Sequence, residues 1–184
     1  DLNPLFDALN NPQLQKVIHS GRQDIEIFLH LSGKIPVPVF DTQVAAMVCG
    51  YGESVSYQTL VTSLTGIKLD KGPRFTDWRR RPLSEKQINY ALDDVIHLRT
   101  VYEKLASKIF SAKRDAWLVE EMKVLTKTTT YITEPEDAWK KIRLRSSKPR
   151  FLQIVKEIAS LREREARSRN LVRGRILKDD SIVA

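Results

Sequence analysis

The sequence predicts a helix-rich fold with one or two short strands, and three observations carry that expectation. Apolar residues recur at three- and four-residue spacing through most of the chain. Ser20, Asp41, Ser56 and Ser84 stand where such runs begin, and Gly33, Gly50 and Gly66 stand where they end. Only residues 16–19 and 35–40 read as extended. Two architectures give this pattern: an all-α domain, or an α/β domain whose remaining strands lie upstream of residue 1.

Taken in order, Lys-Val-Ile-His at 16–19 ends a short strand. Ser20 followed by Gln23 has the form of a capping box, so a helix starts there, with Ile25, Phe28 and Leu29 as its apolar face and Gly33 as its stop. Pro36 and Pro38 bracket alternating apolar residues in an extended edge segment, and Asp41-Thr42 caps the next helix. That helix carries Val44, Ala45, Met47 and Val48. Ser56 caps another, with Leu60, Val61 and Leu64 as its stripe. From 68 to 82 no period persists, and Gly72, Pro73 and several Arg mark a long basic loop. Ser84 and Gln87 repeat the capping-box spacing ahead of a long helix in which Ile88, Ala91, Val95, Leu98, Tyr102 and Leu105 form one face. A further helical stretch holds Trp117, Val119, Met122 and Leu125. Phe151, Val155, Ile158 and Leu161 then mark another helix after a polar connector.

Hydrophobic residues make up 41% of the 184, enough for one good core and a small second one. No apolar run approaches the roughly 20 residues of a membrane-spanning helix, and the first residues lack a signal-peptide pattern, so the protein reads as soluble and cytoplasmic, with no membrane partner. The lone Cys49 sits in an apolar stretch and reads as a buried small hydrophobe. Net charge is +8, unevenly spread: residues 138–178 hold 14 Lys or Arg against 3 Asp or Glu. A concentrated positive segment suits a polyanion such as RNA, and a solvated helical face explains it equally well.

Tyr90 and Asp94 are four residues apart on the long helix and share one surface. A carboxylate so placed can hold a divalent cation while the phenol orients the water that the cation activates. The same pair arises by chance in many helices, so spacing alone does not separate the two readings. Asp24 falls in the first turn of its helix, where the exposed amides favour a negative side chain without any further role.

Residues 16–28, Lys-Val-Ile-His-Ser-Gly-Arg-Gln-Asp-Ile-Glu-Ile-Phe, resemble the second exonuclease motif of the ribonuclease D family, and residues 90–95, Tyr-Ala-Leu-Asp-Asp-Val, resemble the third. Phe40-Asp-Thr-Gln43, Leu69-Asp-Lys71, Asp77-Trp78 and Arg81-Pro-Leu-Ser84 also resemble that family, in its order. Residues 134–139, 161–166 and 173–179 resemble its connector and the start of its helical HRDC domain. The resemblance implies an α/β, ribonuclease H-like exonuclease domain over 1–112, truncated at its N-terminal strands. A helical connector over 113–147 and a truncated all-α HRDC segment over 148–184 would follow.

Family membership implies a pair of divalent ions, Mg²⁺ or Mn²⁺, with Asp24 and Asp94 as metal ligands and Tyr90 positioning the attacking water. Hard oxygen ligands suit those ions. The family's first motif, Asp-x-Glu, has no counterpart before Asp24, so the expectation is a chain that begins downstream of it. In the loop, Lys71, Arg74 and Arg80 would grip phosphates, while Trp78 either stacks on a base or, the favoured reading, packs the loop onto the core. The implied activity is removal of nucleoside monophosphates from the 3′ end of RNA, with tRNA precursors as the cellular substrate. The rivals are a DNA exonuclease of the same superfamily and a non-catalytic nucleic-acid-binding module.

Overall fold

A computed structural model describes residues 2–69, 76–132 and 134–183. It contains two compact units, Asp1–Thr128 and Thr129–Ala184. The segment predicted as one connector is divided between them, its helix in the first unit and its Pro135–Lys141 turn in the second.

The first unit opens with α1 (Asn3–Asn10), which has Pro4 in its first turn, where a missing N–H costs nothing. Strand β1 (Lys16–Ile18) then pairs in parallel with β2 (Val39–Asp41), placing Val17 opposite Phe40. Helix α2 (Arg22–Ser32) makes the crossover that a parallel pair requires. Lys16 staples the start of this unit: its ammonium donates to the carbonyls of Asn11 (2.7 Å) and Val37 (2.6 Å).

Helices α3 (Thr42–Val48), α4 (Tyr57–Thr65), α5 (Glu85–Ser111) and α6 (Asp115–Leu125) follow. Ser56 accepts the Thr59 amide at the head of α4, and Gly66 ends that helix in the left-handed conformation, φ 77°. Ser84 and Gln87 form the complete capping box expected at the head of α5. The core brings Phe40 together with Ala45, Ala46, Leu60, Val61 and the end of α5, where Val101, Leu105 and Ile109 are buried.

Both long helices expected from apolar spacing are present. Within this chain α5 buries only the end of its apolar face: Leu105 is buried and Tyr102 packs on the core, whereas Ile88 and Val95 are exposed, and among its described residues only Gln87 is buried ahead of Val101. In the next long helix Leu161 is exposed at 60%, and Val155, Ala159, Ser160, Arg162 and Ala166 turn inward.

The second unit is built on that helix, α7 (Pro149–Ser168), with the short α8 (Arg173–Ile176) and α9 (Asp179–Val183). Its core gathers Ala138, Ile142, Val155, Ala159, Ile182 and Val183. Arg162 is buried in it, donating to Asp179 (2.5 Å) and to the Leu177 carbonyl (3.1 Å). No helix among the described residues is long and apolar enough to cross a membrane.

Candidate active site

The site begins at Asp41, whose carboxylate lies buried where β2 turns into α3. It accepts the amides of Gln43 (2.8 Å) and Val44 (3.4 Å), capping α3 as expected. It also accepts the amides of Ser20 (3.0 Å) and Gly21 (2.8 Å) at the end of β1. This second pair overturns the predicted Ser20–Gln23 capping box: Gly21 is the N-cap of α2 and no side chain caps that helix. The Asp41 carboxylate takes the Ser20 amide that the Gln23 side chain would have accepted in such a box, and Ser20 adopts a positive φ of 56°. Gly21 is required for space, since a Cβ there would meet the Ile18 side chain, with Cγ1 at 2.8 Å.

One carboxylate therefore fixes the starts of both α2 and α3. Asp24 lies in the first turn of α2, with its side chain exposed. Beside it in sequence, His19 shares a 2.9 Å hydrogen bond with Thr42 Oγ1, and Thr42 donates to the Ile18 carbonyl (3.0 Å). Burial pushes the His19 imidazole below its ordinary range, partly opposed by the Asp41 charge and the Val55 carbonyl.

Against His19 leans Tyr57, the first residue of α4, with ring centroids 5.4 Å apart. The Tyr57 hydroxyl donates to the main-chain carbonyl of Asp93 on α5 (3.1 Å). Here a cleft of about 170 Å³ opens, lined by Ser56, Tyr57, Gln58, Leu69, Tyr90, Asp93 and Asp94. Tyr90 and Asp94 thus share a cavity as well as a helix face. Desolvation raises the Asp94 carboxyl above its ordinary value, and the neighbouring Asp93 charge adds to the rise. The Tyr57 phenol is pushed up to about 12 by burial first, then by Asp94 and Asp93.

Trp78 packs the loop onto α5 at Tyr90 itself, with ring centroids 5.9 Å apart and planes tilted by 49°. It is 37% exposed, so one part of the indole remains open beside the cleft. Arg80 is exposed on the same loop, whereas Lys71 and Arg74 lie outside the described residues. Asp24 is not among the residues lining the cleft. Sequence reasoning missed Tyr57 and the second half of the work of Asp41, since both depend on partners about 20 to 36 residues away.

The donor set can be weighed against a divalent cation. Asp93 and Asp94 are hard oxygen donors whose mutual repulsion a cation would relieve. Among the described residues no three His, Cys, Asp or Glu side chains converge, so the fit is in kind and the set is incomplete.

Comparison with known proteins identifies the family. A family model described as a 3′-5′ exonuclease matches residues 1–109. The curated protein "Ribonuclease D" of Nitrobacter hamburgensis is 50% identical over 182 residues, which are 99% of this chain and 48% of that protein. The crystal structure of Escherichia coli RNase D, described as an exoribonuclease involved in structured RNA processing, superposes with a TM-score of 0.85 at 31% identity, covering 99% of this chain and 49% of the other. Brucella melitensis NrnC with bound Mg²⁺ shares the fold at TM-score 0.62 and 23% identity, over 78% of this chain and 69% of the other. The chain spans about half the length of the curated relatives it matches. With its motifs on an α/β scaffold and the family model covering more than half its residues, the chain belongs to the 3′-5′ exonuclease family.

Proposed function

We propose that this chain forms part of a divalent-metal-dependent 3′-5′ exoribonuclease of the ribonuclease D type. The observation that carries the reading is the convergence of Tyr90 and Asp94 on one cleft, in a chain similar along its whole length to ribonuclease D. Asp94 would hold the cation, as would Asp24, carried on the helix that Asp41 orients. When bound, Mg²⁺ or Mn²⁺ would activate the attacking water and stabilise the leaving 3′ oxygen. The Tyr90 phenol would orient that water, and the Trp78 ring keeps the phenol in place. Arg80 and the open part of Trp78 offer a phosphate contact and a stacking surface beside the cleft, with Lys71 and Arg74 on the same stretch of sequence. The basic second unit would add a sequence-independent grip on RNA, and precursors of tRNA are the substrate this reading favours.

The test is a 3′-labelled single-stranded RNA given to the full-length gene product with Mg²⁺ or Mn²⁺. Release of labelled mononucleotide that chelation stops and Asp94→Asn abolishes is the expected result. Tyr90→Phe should slow release while leaving RNA binding intact. Equal release from a matched DNA strand would reassign the substrate. Salt-sensitive binding without any release would make the protein a binding module.

A further inference from the structure

We propose that Tyr57 is a positioning residue for Asp94, setting the place of that carboxylate through its hydrogen bond to the α5 backbone. The inference rests on the reading of the cleft as a nuclease site and adds a residue to it. The hydrogen bond acts on the part of α5 that carries the site. From Val101 onward the helix is anchored by buried Val101, Leu105 and Ile109. At its head, Gln87 is buried and its amide reaches Thr76 Oγ1 and the Asp77 carbonyl, both at 3.3 Å. Between those anchors Ile88, Leu92, Val95 and Ile96 are exposed in this chain, which spans about half the length of its relatives. Tyr90, Asp93 and Asp94 lie in this span.

Tyr57 reaches into the middle of it. Its acceptor is the carbonyl of Asp93, adjacent in the chain to Asp94, so the bond acts on the backbone that carries the carboxylate. The phenol is itself held from behind: Ser56 caps the helix it starts, and its ring rests on His19, which is bonded to Thr42. A continuous set of contacts thus runs from the β1–α2 corner, which carries Asp24, to the turn that carries Asp94. The acceptor is a carbonyl oxygen, so the phenol O–H is the donor in this bond.

Tyr57→Phe in the full-length protein removes the donor and keeps the ring against His19. Direct Mn²⁺ binding, followed by the electron paramagnetic resonance of the free ion, needs no turnover. We expect affinity to fall roughly three- to tenfold, on the scale of one lost orienting hydrogen bond. The KM for RNA should stay within about twofold, because the phenol is not asked to touch substrate. Amide exchange should quicken across residues 90–97 and not across 101–109, which separates loss of positioning from general unfolding. Unchanged Mn²⁺ affinity in Tyr57→Phe, with a clear loss in Asp94→Asn, would overturn the proposal and leave the site standing. Unchanged affinity in both would overturn the site and the proposal together. Faster exchange spread evenly over the first unit would make Tyr57 a general stabiliser and equally defeat the inference.

Discussion

Replacing Asp41 by Ala tests the corner on which the site is built. The carboxylate, 2% exposed, accepts four backbone amides: Gly21 and Gln43 at 2.8 Å, Ser20 at 3.0 Å and Val44 at 3.4 Å. Gly21 is buried, so its amide would be left without a partner, at about 1–3 kcal/mol. Loss of the α3 cap adds about 1 kcal/mol. Ser20 is exposed and Gln43 and Val44 are half-buried, so water recovers part of their bonding. Removal of the charge also relieves its own desolvation. The sum is about 2–4 kcal/mol, against the roughly 5–15 kcal/mol that stabilises a whole domain. Hydrogen exchange read by peptide resolves the two units, and each 1.4 kcal/mol is about a factor of ten in rate. Amides of β1, α2 and α3 should therefore exchange roughly 30 to 700 times faster in Asp41→Ala. Asp41→Asn, which keeps one oxygen for α3 and turns an NH₂ toward Gly21, should fall between that variant and the native protein. Less than about fivefold acceleration in Asp41→Ala would refute the clamp, because a loss under about 1 kcal/mol leaves no room for a buried orphan amide.

Gly21→Ala should destabilise the first unit by about 1–3 kcal/mol through collision with Ile18, and Ile18→Val in the same protein should recover part of the loss in urea unfolding. The Asp94 carboxyl is raised in the folded protein, so its ionised form opposes folding above that raised value, and the opposition fades as pH falls through it. Asp94→Asn should accordingly melt no lower than the native protein at pH 7 and lose its small advantage in acid, even as metal-dependent release disappears. In the second unit, Asp179→Ala leaves buried Arg162 without its carboxylate and should cost about 3 kcal/mol there. Arg162→Met, which removes the charge as well, should cost less in thermal melts.

The features legible in the sequence were the local ones. Asp41, Ser56 and Ser84 cap helices because a short side-chain oxygen reaches amides two or three residues ahead, a geometry contained in the spacing. The glycine stops at Gly33 and Gly66 were equally visible. Pro4 marked α1, and that signal went unused. Ser20 misled, because its competitor is a carboxylate 21 residues away. The apolar face of α5 was legible along the helix, and in this chain, which spans about half the length of its relatives, only its Tyr102–Leu105 end meets the core. At the site, the Tyr90–Asp94 pairing followed from helical period, and its contact with Trp78 and Tyr57 required the fold. The motif resemblance supplied Asp24, which no local rule distinguished from a dipole-favoured acid in a first turn.

Helix α5 works as a beam held at both ends. Gln87 and Val101 are fourteen residues apart, roughly 21 Å along the axis. Tyr90, Asp93 and Asp94 lie on the stretch between those supports, where Trp78 and Tyr57 bear on it. Loosening either support should let that stretch shift as one piece, so the phenol and the carboxylate would keep their spacing on one helix face while moving together against the rest of the cleft.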